Sequence, residues 1–154
     1  MKMRVNPKLS KVNQDLQRAA SGISNLSGVH RAAAALLDKW VQRNFETEGG
    51  NVGGWKPFAA GGRWKNGTLD TTAKLLQDAG TLKSRFLPFS SNKNAGIGND
   101  LPYSKTHELG QGLLPARRML PRSSDEKLMG EIEDLFKQHG LDSFKKSGVS
   151  VNVR

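Results

Sequence analysis

Seven glycines fall within the 21 residues of "EGGNVGGWKPFAAGGRWKNGT", 48–68, and no regular element of any length survives such a run. The stretch therefore splits the chain, leaving long helices only before it and after it. Glycine-rich loops of this length are functional or disordered. Trp55, Phe58 and Trp64, set among Lys56, Arg63 and Lys65, argue against simple disorder. Two readings of these aromatic residues stay open. Interleaved rings and cations can stack on bases and neutralise phosphates, or the two tryptophans can fold back as anchors on the core or on a neighbouring subunit.

Before the loop, Leu9, Val12, Leu16, Ala19 and Ile23 recur at spacings of three and four, which predicts an amphipathic helix from Lys8 to about Ser24. "SGISNLSG" interrupts the pattern, as a kink or as a true break. A second helix follows, with Val29, Ala33, Leu36, Leu37, Trp40, Val41 and Phe45 on its apolar side and paired glycines at its end.

After the loop, "LDTTAKLLQDAGTLKSRF" offers Leu69, Leu75, Leu76 and Leu82 for burial, with Asp78 to Gly80 read as a helix stop in which Gly80 takes a positive φ at low cost. Two short strands are expected near Ser84–Ser90 and Asn94–Asn99 around the turn "SSNKN", and Pro88, lacking an N–H, places the first at an edge or a bulge. "SSDEKLMGEIEDLFKQHG" is the clearest helix. Ser123 or Ser124 is the expected cap, Leu128, Ile132, Leu135 and Phe136 the buried stripe, and Gly140 the end. "GVSVNVR" alternates as a last strand would, with Val149, Val151 and Val153 on one face. The expected fold class is α+β: amphipathic N-terminal helices, a long glycine-rich loop, a small antiparallel sheet, a C-terminal helix and a short final strand. One domain over 1–154 is expected, divided into a helical extension 1–28, the main helix 29–47, the loop 48–68 and the remainder 69–154.

Composition excludes several classes. With no cysteine there is neither a disulfide framework nor a thiolate metal site. The basic start has no apolar segment behind it, and no run approaches the roughly 18 apolar residues of a membrane span, so a soluble chain without a signal peptide is expected. His30, His107 and His139 stand far apart, without HExxH or paired carboxylates, and "GIGND" and "GGNVGG" lack the lysine and helix of a phosphate loop. No cofactor, no metal and no catalytic residue is expected. Tyr103 and His107 share one side of a short helix and read as a packing and hydrogen-bonding pair.

The formal charge of +10 is uneven: Asp125 to Asp142 holds six acids and two bases, a balance of −4, so the rest carries +14. Such a field draws polyanions without conferring base specificity. A solvated basic surface and a nucleic-acid contact both fit it.

"LPYSKTHELGQGLLPARRMLPRS", 101–123, has three prolines, two glycines and four cations in 23 residues, a connector that holds its shape at low entropic cost. Taken in order, Phe45 and Glu48; Gly54, Trp55 and Pro57; Leu76, Asp78, Gly80 and Leu82; Tyr103, His107 and Gly110; and Pro115, Ala116, Arg117, Met119 and Leu120 resemble five phrases of the phage virion morphogenesis family, which includes tail-completion proteins of contractile-tailed phages. The likeness spans about Trp40 to His139. Ala79 stands where threonine is usual, Met119 where an aromatic is common, and the first 28 residues match no phrase of it.

The resemblance implies a structural virion component in the tail-neck region, made in the host cytoplasm, that completes or terminates the tail and supports head-tail joining as a homo-oligomeric, hexameric ring. Its partners would be tube, sheath or connector proteins, and it would catalyse nothing. Trp55, Pro57, Phe58, Trp64, Tyr103, His107, Leu114 and Pro115 are then candidate ring-interface residues. Arg63, Lys65, Arg117, Arg118 and Arg122 are candidates to face a DNA-filled lumen or an acidic patch of the next ring, although Arg117 has an alternative partner in Glu108. The competing function is a free, sequence-neutral nucleic-acid-binding protein that uses the basic surface and the Trp55 to Trp64 loop.

Overall fold

The computed structural model describes residues 7–148, and of Pro7 to Ser10 the backbone only. The expected final strand, with Val149, Val151 and Val153, lies outside the described residues, as does the side chain of Leu9. The architecture is α+β. Helix α1 (Pro7–Ser24) and helix α2 (Ser27–Glu46) both pack on the C-terminal helix α5 (Glu126–Lys146). Between α2 and α5 come two antiparallel hairpins, β1 (Arg63–Lys65) with β2 (Thr68–Asp70) and β3 (Phe86–Ser90) with β4 (Ala95–Asn99), and two short helices, α3 (Thr81–Ser84) and α4 (Ser104–Leu109).

The first two helices are separate. The break falls at Asn25 and Leu26, while Gly22 and Gly28 lie inside helices. Asn92, in the turn between β3 and β4, closes the gap by accepting the Leu26 N–H at 2.9 Å, and His30 Nδ1 donates to Ser91 O at 2.9 Å. Gly22 allows α1 and α5 to cross closely, since a Cβ there would lie 3.2 Å from Ser143 Cβ. His139 secures the crossing through Nε2 to Gly22 O, 3.1 Å. The apolar side of α1 is only partly used: Ala19 is buried, but Val12 and Leu16 are 54% and 49% exposed.

The core forms around Val41 and Phe45 on the inner face of α2, which meet Trp55, Leu75, Leu82, Phe86 and Met119. Phe45 packs edge-on against Trp55, ring centroids 5.2 Å apart, and tilted against Phe86 at 5.6 Å. The β3–β4 hairpin lies on α2 in the register Phe86 to Asn99 and Pro88 to Ile97. In a two-stranded sheet each strand has a free edge, so the missing N–H of Pro88 costs no ladder bond.

Several expectations are corrected. The segment 48–68 contains regular structure: Asn66 and Gly67 both have positive φ, 51° and 79°, and make the tight turn of the β1–β2 hairpin. No helix precedes Gly80. Its φ of 72° places it at the start of α3, and the residues before it form turns, with Leu76 at φ 60°. Neither Ser123 nor Ser124 caps α5. Asp125 is the cap residue, and its carboxylate accepts Arg122 N–H and the Arg118 guanidinium, both at 2.6 Å, rather than a helix amide. Helix α5 also runs past Gly140 to Lys146, because Ser143 and Ser147 are buried where α1 packs on it. That packing outweighs the roughly 1 kcal/mol by which a helical glycine disfavours its turn. Phe136 is 37% exposed and rests edge-on against His30, centroids 5.6 Å apart.

Candidate assembly groove

Helix α2 ends where Gly49, φ 91°, turns the chain back on itself, and a side chain at this position would run into the Trp55 ring. Trp55 is thereby drawn into the core, and its Nε1 donates to Arg118 O at 2.9 Å. Asn44 Nδ2 donates to the same carbonyl at 2.8 Å. These two bonds fix one end of the connector.

The guanidinium of Arg117, a residue only 6% exposed, fixes the next point, donating from Nε and Nη2 to Lys56 O at 3.2 and 3.0 Å. Burial lowers its pKa from the ordinary arginine range. Its backbone N–H donates to His107 O at 2.7 Å. Glu108, expected as an alternative partner of Arg117, instead accepts the N–H groups of Met119 and Leu120 at 2.5 and 3.2 Å. At Gly110, φ 68°, any Cβ would strike the Ala116 backbone, which is how the chain after α4 lies back against the connector. Glu48 performs the same service on the opposite side, accepting Leu75 N–H at 2.5 Å, while Gln77 Nε2 donates to Phe45 O at 2.8 Å.

These anchors leave an open groove of about 680 Å³. Pro57 and Phe58 form one wall, 76–82 another, and Tyr103, His107 and the segment 112–115 a third, with Arg63 and Arg117 reaching in. Of the candidate interface residues it gathers Pro57, Phe58, Tyr103, His107, Leu114 and Pro115. Trp55 lies beneath it in the core, and Trp64, 64% exposed on β1, is outside its lining. Leu113, which is not among the candidate interface residues, is fully exposed at its rim. Its signal was present: between Gly112 and Pro115, two leucines have neither helix nor strand in which to be buried.

Tyr103 and His107 meet edge-on at 6.2 Å, so the expected pair packs, but no hydrogen bond joins the two side chains. His107 Nδ1 is buried without a partner. Burial first, and the Arg117 charge second, lower the pKa of His107 below the usual imidazole value, so the ring is neutral near pH 7. The five candidate cations do not form one cluster. Arg63 and Lys65 share Asp78 at 2.9 and 3.1 Å. Arg118 pairs with Asp125 at 2.6 Å and lies over Trp40, 5.7 Å from its ring centroid. Arg122 lies 3.8 Å from Glu108, with its side chain 58% exposed. Among the described residues no group of His, Asp or Glu is placed to hold a metal ion, and no helix is long and apolar enough to cross a membrane.

The five phrases, distant in sequence, converge on this groove and on the core beneath it. The phage virion morphogenesis family model matches residues 8–139, and the chain belongs to that family. The match begins within α1, so the N-terminal extension, in which the phrases found no counterpart, is largely family sequence as well. No curated protein and no solved structure matches the chain. Membership makes this a protein of phage virion assembly.

Proposed function

We propose that the chain is a non-enzymatic structural component that completes or terminates the phage tail and supports head-tail joining as a ring of identical copies, seated between the tail tube or sheath and the connector. The observation that carries this reading is the groove with its apolar rim: Tyr103, Leu113 and Leu114 are 44%, 104% and 42% exposed around a rigidly anchored connector. Exposed apolar residues clustered on one concave surface mark an association site. The anchoring explains why the connector is rich in proline and buried polar contacts, since a ring contact needs a surface of fixed shape.

Arg63, Lys65 and Arg122, whose side chains are 24%, 60% and 58% exposed, supply cations for packaged DNA or for an acidic neighbouring surface. Arg117 and Arg118 hold the connector in place. Free nucleic-acid binding has less support, because Trp55 is committed to the core and Trp64 alone of the loop tryptophans presents its ring to solvent.

Deleting the gene from a phage that carries it tests the proposal. The expected outcome, by electron microscopy, is DNA-filled heads without joined tails, or tails of irregular length, both repaired by the protein supplied in trans. Normal infectious particles without the protein would overturn the reading.

A further inference from the structure

The groove has two requirements that the described residues leave unmet. The first is charge. Lys56, Arg63 and Arg117 line it against a single carboxylate, Asp78, and Lys65 shares that carboxylate at the edge, while His107 is neutral. The buried Arg63 Nε has no hydrogen-bond partner. The second is shape: Leu113 stands fully exposed on the rim as a knob without a hole.

Helix α5 carries the complement of both. Glu126, Gly130, Glu133, Lys137 and Gly140 follow one another at spacings of four, three, four and three, which puts them on one face. The glutamates and Lys137 are exposed, and a Cβ at Gly130 or Gly140 would meet nothing within 4 Å. Among the described residues nothing packs against these two glycines in the middle of the longest helix, where each disfavours the helical state. A hollow at Gly130 flanked in sequence by two carboxylates is the counterpart of a groove that presents an apolar knob and an excess of cations. The elements that α5 packs against are α1 and α2, none of which lines the groove, so the two surfaces are different patches of one molecule.

We infer that the groove of one copy receives the Glu126–Gly140 face of α5 from a second copy, with Leu113 seated at Gly130 and Lys56 and Lys65 opposite Glu126 and Glu133. This rests on the reading of the chain as an assembly component and names the surfaces that would join its copies. Contact between two different patches is head-to-tail, the arrangement that closes into a ring when its rotation allows.

Charge reversal in both partners tests it on the purified full chain by sedimentation velocity at low salt. Wild type is expected to self-associate. Lys56→Glu with Lys65→Glu should weaken association about tenfold or more, as should Glu126→Lys with Glu133→Lys, and an equimolar mixture of the two variants should recover it. Gly130→Leu should abolish association while leaving far-UV circular dichroism and Tm unchanged or raised. A monomeric wild type, reversals without effect, or a mixture that fails to associate would each overturn the inference. So would reversals that abolish binding to a short single-stranded DNA but leave association intact, which would assign the cations to a polyanion. If association fails this test while the gene remains essential for tail joining, the surfaces are wrong and the function stands.

Discussion

Replacing Arg117 with methionine separates a cation that holds the fold from one displayed to a partner. The change keeps most of the buried stem and removes two charge-assisted hydrogen bonds to Lys56 O. Bonds of this kind contribute about 1.5–3 kcal/mol, and the carbonyl left without its donor adds a desolvation cost of similar order. Removing a buried guanidinium relieves part of this, because its own burial is unfavourable, as its lowered pKa records. The net expected loss is about 2–3 kcal/mol, or a Tm lower by roughly 4–12 °C for a chain of this size. Urea unfolding followed by circular dichroism measures it, with Arg122→Met as comparison. Arg122 lies 3.8 Å from Glu108 and its side chain is 58% exposed. Its replacement should cost no more than about 1 kcal/mol. An Arg117→Met protein as stable as wild type would refute the assignment of this residue as an internal anchor, as would an Arg122→Met protein destabilised equally.

Other outcomes follow from the same geometry. His107 has a folded pKa below its unfolded value, so the unfolded chain binds the extra proton as pH falls through about 6.5; stability should decline from there down to the folded pKa, and His107→Leu should flatten that part of the pH–stability profile measured by chemical denaturation. Gly49→Ala places a side chain against the Trp55 ring at positive φ, and should cost about 2 kcal/mol or more with a shift in tryptophan fluorescence, whereas Gly53→Ala, also at positive φ but in open space, should cost about 1 kcal/mol. Leu113→Ser should leave Tm within about 1 °C of wild type while reducing self-association in light scattering, because the residue is fully exposed among the described residues.

The helices α2 and α5 were legible because their periodicity is sustained and each has one buried face, and the β3–β4 hairpin because a turn separates its strands, since β3 buries Phe86 alone. The β1–β2 hairpin was not, although Asn66 and Gly67 give the strongest short-range turn signal, because three-residue strands lie inside a run of glycines that masks them. The end of α5 was misplaced for a tertiary reason: Gly140 is a plausible local stop, and only the packing of α1 against Ser143 keeps the helix going. Val12 and Leu16 on α1 are exposed among the described residues, so periodicity marked its face without marking its burial. The five phrases name the segments that converge on the groove and the core beneath it. What sequence could not distinguish was inward from outward: Trp55 and Trp64 look alike in the loop, and the partner of Arg117 is a backbone carbonyl 61 residues away, which leaves no side-chain signature.

The central claim, that this groove is an assembly surface, is tested most directly by complementing the gene deletion with Tyr103→Ala and Leu114→Asp together, at positions exposed enough to spare the fold. The account predicts a protein with wild-type Tm and circular dichroism that yields full heads and few joined tails. Joined, infectious particles at the wild-type level, from a protein shown to carry both substitutions, would contradict it.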